Sequence, residues 1–332
     1  MSPPPVTLPP DPRATHTGGA GGRSPSRTRD LGVLALVTIA PLWGYSWVVS
    51  KVALNDAGPF TFISLSMSIC VVFLFSVLVL TRRTLRPPPL GWILLIGLLQ
   101  TFLFSGLATL ALAAGGAGKV TVLVYTMPFW LLVLAWLFLG ERLRGAQWPA
   151  VALAFTGLVL VVRPWDIGGA LGGLLACASG LAWAAASLVI KLLQRRMPVD
   201  AIALAAWQMA FGVVPLILLA ALAEGGGPRW TATFVGTVAY TALISNGLCW
   251  VLWVLALRSL PAGAAGMGTL AVPVIGVAAA WIHLGEAPAL VEGAGMALIV
   301  VALAVLGAYG LRAERGRTAM AGAESAAQAV TD

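Results

Sequence analysis

The sequence predicts an all-α polytopic membrane protein, with ten transmembrane helices forming two inverted-topology five-helix repeats. Three observations carry that prediction. Of 332 residues, 59% are hydrophobic and 10% charged, whereas roughly a quarter are charged in a soluble domain. The apolar residues come in runs near the ~20 residues that cross a ~30 Å hydrocarbon core. Finally, motifs of the first half recur in the second after an odd number of helices.

Breaks of Gly, Pro and charge delimit helices at 31–54, 60–80, 90–112, 119–139, 147–163, 170–193, 201–223, 231–257, 262–284 and 288–311. The separators NDAGP (55–59), RRTLRPPP (82–89), GGAG (115–118), GERLRG (140–145), RRMP (195–198) and EGGGPR (224–229) each hold turn-forming residues. Residues 1–30, rich in Pro, Gly, Ser, Thr and Arg, have too little apolar surface to offset the entropy of ordering, which predicts a disordered tail. A second tail is expected at 312–332. The apolar run from Leu31 is followed by further spans, so it reads as a first membrane helix and not as a signal peptide.

The net charge of +8 raises the question of nucleic acid, and the placement of the basic residues answers it. With the amino terminus cytoplasmic, only Lys51, Lys119, Arg163 and Arg229 of the 20 Lys and Arg fall on the outer side. The positive-inside rule therefore predicts ten spans with both termini cytoplasmic, in the inner or plasma membrane. The charge then reports topology, and no nucleic-acid partner is expected. Cys70, Cys177 and Cys249 sit in separate apolar segments and read as small buried side chains, with no metal site. No P-loop, dinucleotide loop, HExxH or nucleophile elbow occurs, so neither a cofactor nor an enzyme activity is expected.

The repeat is legible in spacing. Pro128 precedes Gly140-Glu141 with eleven residues between, and Pro273 precedes Gly285-Glu286 with the same eleven, at an offset of 145. LALAAGGAG (110–118) meets LALRSLPAG (255–263) at that offset, while WGYSWVVSK (43–51) meets WAAASLVIK (183–191) at 140. The repeats are 31–164 and 170–311. Five helices each make the second enter the membrane from the opposite side, a device of secondary transporters whose halves exchange conformations.

WGYSWVVSKVAL, the stretch from VTVLVYTMPFWLLVLAWLFLGERLRG to FTGLVLVV, and its echo GTLAVPVIGVAAAWIHLGEAPALVEGAGMALIVV resemble the EamA-like family of the drug/metabolite transporter superfamily, over roughly 31–311. The second repeat departs from the first in Trp183-Ala184 against Trp43-Gly44 and in Ala287 against Arg142. The resemblance implies a carrier that exports amino acids, other metabolites or toxic compounds without ATP. It also implies a cavity between helices one, three, four, six, eight and nine.

The candidate cavity residues are Trp43, Tyr45, Ser46, Trp47, Tyr125, Trp183, Asn246 and Trp250; aromatic residues near helix ends also suit an interfacial belt. Asn246 and Trp250 share one helix face, and an amide at that depth needs a helix or the pathway opposite it. Lys51 reads as a snorkelling anchor or as a contact for a substrate carboxylate. Pro128 and Pro273 are expected to kink their helices. Glu141 and Glu286 are expected to be hinge residues or to cap the next helix, with a proton relay as the alternative for such a symmetric pair, and His283 to be interfacial or a proton switch. No carboxylate falls at mid-span, as Asp56, Asp166, Glu224 and Glu292 lie at helix ends. That favours a neutral or zwitterionic solute over cationic drugs. The expected partners are a small-molecule substrate and the lipid bilayer, for a monomer or homodimer. The alternatives are a drug or toxic-compound efflux carrier and, in another class, a non-transporting scaffold or sensor.

Overall fold

The computed structural model describes residues 25–139, 145, 147–162, 170–252, 271–302, 304, 305 and 308. Among them the chain is helical throughout, without a strand. Seven helices are long and apolar enough to cross a membrane: α1 (Leu31–Ala53 of a helix that runs Pro25–Ala53), α2 (Pro59–Leu80), α3 (Leu90–Ala114), α4 (Ala117–Phe138), α6 (Ala170–Ile190), α7 (Ala201–Ala223) and α8 (Ala232–Leu252). Among the described residues there are also three shorter apolar helices, α5 (Trp148–Val161), α9 (Ala271–Leu284) and α10 (Leu290–Ala302).

The described part of the first helix begins at Pro25. Pro41 and Pro215 lie inside α1 and α7. Pro128, expected as a mid-helix kink, instead follows a break: α4 stops at Val124, turns at Tyr125-Thr126 and resumes at Met127. As second residue of the new piece Pro128 removes no ladder bond. Pro273 is buried near the start of the described part of α9.

Two helices carry a widened π-helical segment near the middle, Gly97–Phe104 in α3 and Tyr240–Leu248 in α8. Such segments are rare and often functional. In each, a side chain from a neighbouring helix takes a backbone carbonyl. Trp43 Nε1 of α1 donates to Ser245 O at 2.8 Å, and Ser179 Oγ of α6 donates to Phe104 O at 3.0 Å.

Helices α2 and α7 pack along their length, burying Ile63, Met67, Cys70 and Leu74 against Met209, Val213 and Leu216. Helices α1, α4 and α6 meet α9 and α3 around a second core of Val48, Val122, Leu123, Val124 and Ala176. The same core extends to Ala154 and Val161 of α5 and Ile299 and Ala302 of α10. The lipid-ready surface is outside, where Val72, Leu137, Phe138, Leu222 and Leu290 are exposed.

Candidate functional site

Four predicted residues come together. Trp43 and Trp47 of α1, Tyr125 at the α4 break and Trp183 of α6 form one cluster with Ala40, Val272 and Ile275. The Tyr125 and Trp183 rings meet edge to face with centroids 5.7 Å apart, a favoured aromatic geometry. Tyr125 is buried and the three tryptophans are half-buried. Gly44 permits this approach, since a Cβ there would lie 2.7 Å from Ile275 Cγ2 and 3.2 Å from Val272 O. The glycine of the Trp-Gly pair thus presses α1 onto α9.

The cluster sits below a helix break held by charge. Lys51 Nζ donates to Leu112 O and, at 2.7 Å, to Gly115 O. These are among the last carbonyls of α3, which have no intrahelical partner. A cation there also answers the negative end of the helix. Glu286 Oε2 accepts from Gly118 N at 3.3 Å, at the amino end of α4. Glu286 was expected to cap the next helix in sequence; it caps one 168 residues away, because the fold brings the α9 end onto the α3–α4 break. A Cβ on Gly116 would lie 2.8 Å from Glu286 Oε2, so glycine leaves room for the carboxylate. Lys119 pairs with Glu292 at 3.2 Å beside it. An open cavity of about 370 Å³ adjoins the break, lined in part by Gly115, Gly116, Gly172, Lys119, Glu286 and Glu292.

Further contacts gather at this end. Tyr45 Oη lies 2.7 Å from His283 Nδ1 and its ring meets Tyr240 edge-on at 6.3 Å. Tyr240 O–H donates to Leu42 O at 2.9 Å. Glu224, just past α7, accepts from Phe60 N and Thr61 N at 2.7 Å each, capping α2. Arg229 reaches Asp56 at 3.0 Å. At the opposite end Asp200 caps its own α7 through Ile202 N and Ala203 N, and Arg83, past α2, holds the same carboxylate at 2.7 Å.

Between the two ends lies a buried polar layer: Ser66 on α2, Gln208 on α7, Gln100, Thr101 and Ser105 on α3, Thr241 and Ser245 on α8. Ser66 Oγ, Thr101 Oγ1, Gln208 Oε1 and Thr241 Oγ1 have no hydrogen-bond partner. Asn246 is half-buried with its amide 3.8 Å from Met67 Sδ. Trp250 packs with the α2–α7 core, apart from the aromatic cluster. Ser46 donates to Trp43 O in its own helix at 2.7 Å. Glu141 and Asp166 lie outside the described residues. Cys70, Cys177 and Cys249 are free thiols. The capping roles of Asp200 and Glu224 were not read from the sequence. Asp200 carries a legible signal, an N-cap residue directly before an apolar run; Glu224 carries none.

Apolar helices of spanning length, with charge confined to their ends, define a multi-pass membrane protein. The particular family follows from comparison. The model of the EamA-like transporter family matches the chain twice, at residues 30–163 and 170–308, and the chain belongs to that family. It is 30% identical to the uncharacterized transporter YvbV of Bacillus subtilis over 84% of this chain and 92% of that protein. It is 26% identical to a "probable amino-acid metabolite efflux pump" of Salmonella typhimurium over 87% of this chain and 98% of that one. A solved crystal structure shares the fold at a TM-score of 0.61, with 20% identity over 87% of this chain and 99% of the other. The family and these relatives are transporters, not enzymes.

Proposed function

We propose that the protein is a secondary carrier of the inner or plasma membrane that exports a small neutral or zwitterionic metabolite, such as an amino acid, by alternating access. In this reading its ten spans form two inverted five-helix repeats, 31–164 and 170–311, with both termini cytoplasmic and the α3–α4 break on the outer side. One observation carries it: two pairs of helix contacts recur between counterpart helices of the two repeats. Helix α1 packs on α9 as α6 packs on α4, and α2 meets the π segment of α8 as α7 meets that of α3. Exchanging such halves moves access from one side to the other. The contacts around Lys51, Glu286 and Tyr45 then correspond to an outer closure.

The solute class follows from what lines the middle. The described spans place aromatic rings, hydroxyls and amides there, and no carboxylate. The efflux-pump name of relatives at 26% and 25% identity points to the same class. The test is counterflow of a labelled amino-acid panel in proteoliposomes. Uptake of at least one member against empty vesicles is expected, and absence of flux for every member, in protein shown folded by its thermal transition, overturns the reading.

A further inference from the structure

We propose that the protein holds an anionic phospholipid where α3 begins, with the phosphate on Arg82, Arg86 and Arg196 and an acyl chain along a leucine stripe beneath them. The inference uses neither the transport reading nor the sidedness of the chain. Three elements meet at this corner. The loop after α2 is pinned to α7, since Arg83 Nη1 reaches Asp200 Oδ2 at 2.7 Å and Trp207 Nε1 donates to Leu85 O at 3.1 Å. The helix that contains α6 runs on to Arg196, four residues before Asp200. The Arg196 guanidinium lies over the half-buried Trp92 ring of α3, 5.2 Å from its centroid. Arg82, Arg86 and Arg196 are exposed, and none of them makes an ion pair among the described residues. Asp200 has nothing left to offer them, because Ile202 N and Ala203 N take one carboxylate oxygen and Arg83 the other.

Arg82 occupies a costly position. Helix α2 ends in a Schellman turn, in which Arg82 N donates to Val79 O at 3.0 Å and Arg83 N to Leu78 O at 2.9 Å. The residue in the left-handed conformation of that turn, with φ of 51°, is Arg82, where glycine commonly sits. An L side chain is strained there, and Arg82 has no partner within the described fold to offset the strain. A ligand outside the fold supplies one. Guanidinium groups suit phosphate, whose oxygens take their paired N–H donors, and basic clusters between membrane helices hold anionic headgroups. The surface below selects the lipid over a soluble anion. Leu90, Leu94 and Leu98 of α3 are 55%, 47% and 44% exposed. Four residues apart, they lie one above another on a single helix face. Hydrocarbon thus starts directly beneath the cations, which is the arrangement of a phospholipid and not of a free phosphate.

The test needs no substrate. The full chain, delipidated in a neutral detergent, is titrated with phosphatidylglycerol or with phosphatidylcholine of the same acyl chains, and bound lipid is counted by native mass spectrometry. Phosphatidylglycerol should bind at least about tenfold more tightly, as several arginines at one headgroup imply. The joint variant Arg82→Gln, Arg86→Gln, Arg196→Gln should lose that preference. Equal binding of the two lipids, or a glutamine variant that still prefers phosphatidylglycerol, overturns the proposal. So does equal thermal protection by inorganic phosphate, which would assign the arginines to a soluble anion. Should the joint variant not fold, the unsubstituted arginines are read through Trp92. Phosphatidylglycerol with chains brominated near the headgroup must quench the Trp92 fluorescence, taken as the difference between the parent and Trp92→Phe, more than brominated phosphatidylcholine at equal mole fraction. Equal quenching overturns the proposal.

Discussion

The α2–α7 seam and the α1–α4–α9 group use the same kinds of contact to opposite effect. The seam is tied at both ends: Glu224 caps α2 at one, and Arg83 holds the Asp200 cap of α7 at the other. The described polar ties of the second group gather at one end, on the glycine break and the Tyr45–His283 pair. A pair of helices joined at both ends behaves as a strut. A group hooked at one end by long side chains on backbone carbonyls and amides can let go without unfolding. The comparison teaches that the two regions differ in where the charged groups sit, since both are packed by apolar side chains.

The largest expected effect breaks the second region directly. Gly44→Leu places side-chain atoms where Ile275 and the Val272 carbonyl already are, and overpacking of this kind costs about 1–3 kcal/mol or more. The thermal midpoint should fall, and a disulfide engineered between α1 and α9 should form more slowly. Next, the two regions should separate in their response to losing a carboxylate. Glu224→Ala strips two α2 amides of a charged acceptor, worth about 2 kcal/mol at half-burial. Glu286→Ala removes a single 3.3 Å bond and should cost about 1 kcal/mol or less. Equal losses in a denaturant titration would remove the distinction between the two regions.

A pH series sharpens the same contrast. Burial alone would raise the Asp200 carboxyl, but the amides of Ala203 and Ile202 together with Arg83 more than reverse that and hold it below the usual range. A depressed folded-state value means stability present above the unfolded carboxyl's pKa of about 4 and lost as pH falls through the folded one. Asp200→Asn should therefore lower the thermal midpoint equally at pH 7 and pH 5. The gap should close only below about pH 4. The seam then stays tied between pH 7 and pH 5. A gap that already narrows in that interval would mean that Ala203, Ile202 and Arg83 do not hold the Asp200 carboxyl below the usual range.

The spans and the aromatic cluster were legible because they are periodic and local. Hydropathy marks α2 from 60 to 80, one residue from Pro59–Leu80, and the Trp-to-Lys spacing picks out Trp43 and Trp183, which do meet. The partners of the charged residues were not legible, because each lies far along the chain. Lys51 takes carbonyls 61 and 64 residues on, and Glu286 an amide 168 residues back. Hydropathy sees a charge near a helix end and reads an anchor; only the fold supplies the orphaned carbonyls that make it a cap. The π segments left no trace either, since GLLQTFLF and YTALISNGL have the composition of ordinary membrane helix.

The smallest effect on stability belongs to the polar layer, and there its smallness is informative. A buried hydroxyl with no partner costs about 1–3 kcal/mol in lost hydration, so replacing it by an apolar group of like shape is neutral or stabilising. Thr101→Val and Ser66→Ala should leave the thermal midpoint unchanged or raise it slightly, because Thr101 Oγ1 and Ser66 Oγ are buried without partners. A protein that keeps such groups in the seam and beside its π segments keeps them for another conformation or for the solute. The same two variants should therefore lose counterflow while remaining as stable as the parent. A fall in midpoint of more than about 1 kcal/mol-equivalent would mean that the hydroxyls do have partners in the resting state. Unchanged counterflow at unchanged stability would assign the layer to packing alone and leave the transport path to the aromatic cluster.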